Sequence, residues 1–533
     1  MLNLRRRSLL AMMAGLATAT FGAFGDSALA AEEKTLTAVM SGNLKALDPS
    51  VSTAQITRTH GFMVYDTLLG MDAQYQPQPQ MADYTVSDDK LTYTFTLRDG
   101  LKWHDGSDVT AEDCIASLNR WASYDAGGAR LFKQVASLAA TSDKTFEIRL
   151  SAPFGQILAL LAKPSPIPPF MMPKRLAETP KGQQLPEQIG SGPFKFVADE
   201  FRPGDKVVYV KNTDYVPRPE PSSWTAGGKV VNVDKVIWQS MPDMQTTLNA
   251  LQNGDVDFVE QVPLDLLPVI EAMPDVDTGM VRPLGMQVVA RMNHTLAPFD
   301  NVDVRRAAML VLNQEELMQA AIGDPQYYHL CASIYGCSTP LASDAGAEWL
   351  YGDGRKEKAK ELLAKSGYDG TPVIMLQQTE LDAFKPQPLL AAQRMREIGF
   401  NVEVQSMDWQ THLQRQYSRA PVADGGWNML FSAWGITGIW DPLASTVIDA
   451  SGSSQAWSGW PKDDELEQMR TEFSVETDPV KQKEIAEKIQ ARVLDQVNYV
   501  PLGEYDIIAA WNDRVEDIPQ GPLTLFWQVE LAK

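Results

Sequence analysis

The sequence predicts a mixed α/β chain with interrupted sheets and about three domains, and three observations lead there. Its 533 residues exceed what one hydrophobic core organises at about 150 residues per domain. Residues 91–97 alternate apolar and polar with period two, the pattern of a half-buried strand. Further along, apolar residues recur at helical spacing between shorter stretches with the content of strands.

The first segment is an expected export signal over residues 1–30. Arg5, Arg6 and Arg7 precede an uncharged stretch from Ser8 to Gly25, and Ala28-Leu29-Ala30 follows. This is the basic, apolar and small-residue order of a cleaved signal. Arg6-Arg7-Ser8-Leu9-Leu10 also fits the twin-arginine pattern, but ordinary secretory signals start with basic residues too, so both routes stay open. The apolar stretch is short and broken by glycine beside the roughly 20 residues that a spanning helix needs. The first cysteine is Cys114, too far on to carry a lipid next to a signal. A soluble, unlipidated periplasmic protein is expected. Removing three arginines and Asp26 takes the formal charge from −21 to −23, which argues against a nucleic-acid partner.

Leu91, Tyr93, Phe95 and Leu97 share one face of the alternating strand, and the turn Val86 to Lys90 makes 84–98 a hairpin. Thr110 with Asp113 three residues on predicts a capping box, after which Cys114, Leu118 and Trp121 fall at helical spacing. Val304, Ala307, Ala308, Val311 and Leu312 form an apolar stripe, as do Ala359, Leu362 and Leu363. Asp478 followed by Pro479 predicts a helix start, with Ile485, Ile489 and Val493 every fourth residue. Pro372–Gln377 and Phe400–Met407 read as strands. Asp463-Asp464-Glu465 suits a helix N-terminus. In an exported chain three cysteines suggest one disulfide, and Cys331 and Cys337 are close enough to close a short loop; Cys114 then remains as a buried thiol.

Motifs of catalysis are missing. The sequence has no HExxH, paired CxxC, GxSxG or phosphate-binding loop, and its five histidines are scattered singly. No enzyme activity, cofactor or metal is expected.

Tyr65-Asp66-Thr67-Leu68-Leu69, then Tyr93 to Gly106 with Trp103-His104-Asp105-Gly106, and Val109 to Asp113 resemble the family-5 ABC-transporter solute receptors, the dipeptide-, oligopeptide- and nickel-binding group. Gly190 to Phe196, Pro298 to Ala307 and Ala359 to Tyr368 extend the resemblance over essentially the whole mature chain. Tyr84 stands where the family usually has tryptophan, a matter of packing. The resemblance implies a two-lobed periplasmic binding protein fold with three domains: domain I from 31–69, 187–288 and 501–533, domain II from 70–186 and domain III from 289–500. The hinge would lie near Met286–His294 and Tyr499–Gly503. It further implies a monomeric receptor that captures a small organic ligand by lobe closure and delivers it to the permease of an ABC importer. A secreted hydrolase, or a sensory or chaperone-like protein using the same clamp, are the alternatives.

The ligand is less determined. In peptide-binding relatives an aspartate three residues after a tryptophan holds the ligand amine; here Trp434 leads to Thr437, or to Gly438 when counted back from Asp441-Pro442. An arginine that holds a carboxylate in dipeptide receptors is missing around Gln378, since none occurs between Pro372 and Leu390. An ordinary free dipeptide is therefore disfavoured, and peptide-like ligands, opines, sugars and amines stay open. Glu380 and Asp382 either favour a cationic or hydroxyl-rich ligand or are solvated loop acids. Trp409, Trp434, Trp440, Trp457 and Trp460 are candidates for a cleft wall, with core packing, which Trp427 shares, as the competing reading. Thr53, Gln55 and Arg58 occupy the position of ligand-backbone contacts, and Arg58 either pairs with an anion or lies on the surface.

Overall fold

The computed structural model describes residues 33–532 apart from 382, 384 and 455; the expected export signal and Asp382 lie outside the described residues. No described helix is long and apolar enough to cross a membrane.

The alternation at 91–97 becomes the strand Thr92–Leu97, with Tyr93, Phe95 and Leu97 buried. It pairs with Ala82–Val86 as a hairpin and with Thr145–Leu150 on its other side, and Phe95 stacks on Phe146 at 5.3 Å. The helix Ala111–Tyr124 begins with the reciprocal Thr110–Asp113 box and buries Cys114, Leu118 and Trp121. Asp113 also accepts the Trp103 indole N–H at 3.3 Å, so the Trp103 motif braces a helix start.

Two larger sheets dominate the rest. The seven-stranded sheet has the order Phe194–Phe196, Lys206–Lys211, Lys235–Gln239, Thr35–Val39, Phe258–Val259, Ala509–Asn512, Val276–Gly279. Thr35–Val39 runs parallel to both neighbours, so Val39, Gln239 and Val259 end on one side. The six-stranded sheet has the order Tyr328–His329, Val500–Tyr505, Met286–Met292, Met429–Gly435, Val373–Gln378, Val402–Met407. Its last three strands are parallel, and Met286 lies opposite both Gly435 and Tyr505. Gln378, Met407, Gly435 and Tyr505 thus all mark one carboxyl end. The helix Pro479–Gln496 is capped by Asp478 and buries Ile489 and Val493 beside this sheet's domain; Val302–Leu310 and Arg355–Lys365 are the other two striped helices.

The chain passes between the two large sheets at 280–285 and again at 506–508. The expected hinge near 286–294 and 499–503 differs from this. Met286–Met292 is hydrogen-bonded on both sides, and a doubly paired strand cannot absorb large backbone rotation. The connecting residues just outside it can.

Cys331 and Cys337 are joined by a disulfide, and Cys114 is a buried thiol. Burial without a cationic neighbour pushes the Cys114 thiol above its usual range, which makes it inert.

Candidate functional site

A small cavity is lined by residues from the helix Gln55–Val64, both connections and the carboxyl end of the six-stranded sheet; Gln55, Arg282, Met286, Gly435, Thr437 and Ile507 are among them. The crevice outside the carboxyl ends of open α/β sheets is where such folds take ligands. A second concavity is lined by Met40, Asn43, Arg202 and Trp238. It touches only the seven-stranded sheet and its loops, so its occupant could not bridge two lobes.

Arg58 projects from the first helix and is 6% exposed, which rules out the surface reading. Its Nη1 donates to the Pro164 carbonyl at 3.1 Å and to Thr437 Oγ1 at 3.5 Å. Arg282, also 6% exposed, comes from the connection 280–285. The Nε of each arginine has no hydrogen-bond partner among the described residues. Burial and the facing Arg282 push the Arg58 guanidinium down to about 10. The acid beside them is Glu260, which follows the strand Phe258–Val259. It accepts from Ser41 Oγ at 2.6 Å, Thr524 Oγ1 at 2.6 Å and Gln55 Nε2 at 3.4 Å. Burial pushes its carboxyl up, but Arg282, Ser41 and Thr524 outweigh this and hold it below the usual range.

The tryptophans divide. Trp434 is half-buried at the end of Met429–Gly435 and meets Trp457 edge-on at 5.3 Å. Its Nε1 is buried without a hydrogen-bond partner among the described residues. Trp457 packs on the other side against the Arg291 guanidinium, 4.8 Å from its ring centroid. Arg291 is itself fixed by the Ser458, Val447 and Asn498 carbonyls. Trp460 lies in the core near Trp427, under Arg419. Trp440 stacks on Trp224 at 6.3 Å and meets Tyr75 at 5.3 Å, joining the segment after the six-stranded sheet to loops of the other sheets.

Of the residues that the sequence singles out, Gln55 and Thr437 line this cavity, Arg58 reaches Thr437, and Trp434 precedes the lining residue Gly435. The remaining residues are placed apart. Gln378 closes its own turn, with its amide oxygen accepting from Glu380 and Leu381 and its Nε2 donating to the Leu381 carbonyl. Glu380 is exposed and accepts the Trp409 backbone N–H at 3.3 Å. Trp409 stacks on His412 at 5.3 Å. Thr53 is exposed before the first helix. Arg282 and Glu260 were not singled out: each follows a short strand in a loop where no periodicity or motif marks it.

The histidines are absorbed by packing or local contacts. His60 Nδ1 lies 2.8 Å from Tyr209 Oη, and His104 Nε2 and His294 Nε2 lie at 3.1 and 3.0 Å from the carbonyls of Gly192 and Val497. His329 is 3.4 Å from Asp506.

Residues 76–457 match the model of the bacterial extracellular solute-binding proteins, family 5. A probable peptide ABC transporter periplasmic-binding protein of Sinorhizobium fredii is 38% identical over 497 residues, 92% of each chain. The glutathione-binding protein of Escherichia coli (strain K12) is 25% identical over 531 residues, 96% of this chain and 94% of that one. Among solved structures, an A. tumefaciens R10 periplasmic binding protein in complex with agropinic acid superposes with a TM-score of 0.75 at 22% identity, covering 94% of this chain and 99% of that one.

Proposed function

The chain belongs to the family-5 bacterial extracellular solute-binding proteins, receptors that serve ABC importers, and from that membership we propose that its solute binds in the cavity between the two large sheets. The observation that carries this is that the cavity's walls come from both sides of the connections 280–285 and 506–508. Around it the sides already touch: Arg58 reaches Thr437, Tyr75 Oη donates to the Ser338 carbonyl at 3.2 Å, and Arg130 pairs with Glu467 at 2.7 Å. We read these contacts as those of a closed clamp. We place one lobe on the seven- and four-stranded sheets and the other on the six-stranded sheet, with export directed by residues 1–30.

A ligand that touches both lobes favours the closed state, and the importer distinguishes loaded from empty receptor by that difference. No bond in the solute changes. Thr437 and Gly438 offer no carboxylate for a peptide amine, so the solute is peptide-like or opine-like but not an ordinary free dipeptide. Small-angle scattering of the ligand-free chain should give a larger radius of gyration than the closed structure, falling on saturation with solute. Profiles that stay the same, with the empty protein no more open than this structure, would remove the clamp.

Trp434 is proposed as the flat wall of the site, with an indole N–H free to orient the solute. Trp434→Ala should weaken solute binding about 10- to 100-fold in calorimetric titration. An unchanged affinity would place the solute elsewhere.

A further inference from the structure

The cavity holds an unbalanced charge. Two guanidinium groups, Arg58 and Arg282, act on each other, and the one buried carboxylate beside Arg282, Glu260, has its oxygens occupied by Ser41, Thr524 and Gln55. Neither arginine forms an ion pair among the described residues, although both are 6% exposed and Arg282 lines the cavity. Burying a charge without a counterion is expensive, so buried arginines are ordinarily paired with acids and hydrogen-bonded at several nitrogens. Arg291 shows the alternative in this same chain: its Nε and Nη1 are satisfied by three carbonyls and its face lies on Trp457. Arg58 has only two weak or single contacts from Nη1, and both of its partners, Pro164 and Thr437, are neutral. The guanidinium fork matches a carboxylate in geometry and charge.

We propose that Arg58 and Arg282 form a seat for a carboxylate of the transported solute, which makes this a receptor for organic acids. The inference rests on the cavity being the solute site. The seat lies where the helix Gln55–Val64 from one side, the connection 280–285 and Thr437 from the other side converge. A carboxylate there neutralises the excess positive charge only when the lobes are together, so the same contact gives selectivity and closure. Gln55, Thr437 and the Trp434 indole remain for hydroxyl or amide groups on the rest of the molecule.

The test uses the full mature chain and two carboxylate probes, agropinic acid and glutathione, each titrated beside its primary-amide derivative in which the carboxylates are neutral. At least one acid should bind, and its amide should bind about 10- to 100-fold more weakly, the value of a charge-assisted hydrogen bond. Arg282→Gln should lower the affinity for that acid by a similar factor and abolish the difference between acid and amide, while Arg282→Lys should restore part of it. Without solute, Arg282→Gln should melt at or above the wild-type temperature, because an uncompensated buried charge has been removed. A clear fall in that temperature would show that Arg282 is a structural partner of Glu260 and would overturn the seat. Equal binding of acid and amide, or failure of every acid to bind at millimolar concentration, also overturns it. Compaction by a neutral solute in scattering would discard the seat and leave the clamp intact; absence of compaction with any solute would discard the clamp itself.

Discussion

Lys229→Met is expected to destabilise the folded chain by about 3–5 kcal/mol, the loss found when one member of a buried ion pair is removed. Lys229 Nζ lies 2.7 Å from Asp66 Oδ1, and both side chains are completely buried. Tyr215 Oη donates to the other carboxylate oxygen at 2.9 Å, and the Thr67 backbone N–H donates to Oδ1 at 2.9 Å. The ammonium also lies over the rings of Trp527 and Phe62. Methionine fills much of the lysine's volume but leaves the carboxylate facing apolar rings with no cation. The double variant Asp66→Asn/Lys229→Met removes both charges and should recover much of the loss, since a neutral pair escapes the desolvation cost. Urea unfolding of the wild type, both single variants and the double variant measures the cycle. A loss below about 1 kcal/mol for Lys229→Met, or a double variant as unstable as the sum of the two, would show that the pair does not hold this junction. The pair matters to the site as well. Lys229 lies five residues after Trp224, the ring on which Trp440 stacks.

Local structure was legible in the sequence wherever a short-range rule applies. The period-two run gave the strand Thr92–Leu97, Thr110 and Asp113 gave a helix start, and Asp478-Pro479 another, because each depends on residues within one turn or one pleat. The site was legible only in pieces. Gln55, Arg58, Thr437 and Trp434 were marked by resemblance, but Arg58 and Thr437 are 379 positions apart, and no local pattern tells that they touch. Arg282 stayed hidden because it sits in a connection between sheets, where side chains follow no period. The tryptophans show a different limit. Trp427, at 0% exposure, and Trp434, half-buried, are separated by one strand and are the same residue type. Only the packing of Trp427 against Trp460 and the Gln416 carbonyl, to which its indole donates, sends one to the core. Gln378 lies at the carboxyl end of its strand as a site residue should, yet its amide is consumed by its own turn, a competition that side-chain amides often resolve locally.

Glu504→Gln is expected to stabilise the chain by about 3 kcal/mol at pH 8 and to leave it nearly unchanged at pH 4. Glu504 lies in the strand Val500–Tyr505, 6% exposed, with its carboxyl accepting from the Cys337 backbone N–H at 3.1 Å and from Gln287 Nε2 at 3.3 Å. Burial pushes it up from the usual value of 4.5 to about 7, against the pull of those two hydrogen bonds. Between these values the folded chain binds a proton that the unfolded chain has lost. The stabilisation it provides is thus fully present below about pH 4.5 and disappears as the pH rises through about 7. Glutamine keeps the accepting oxygen and never ionises, so the difference between variant and wild type should grow across that window. Urea unfolding at intervals from pH 4 to 8 reads this difference directly, with the pH effects of groups remote from Glu504 cancelling between the two chains. A difference that does not change with pH would mean that Glu504 titrates as an ordinary exposed acid.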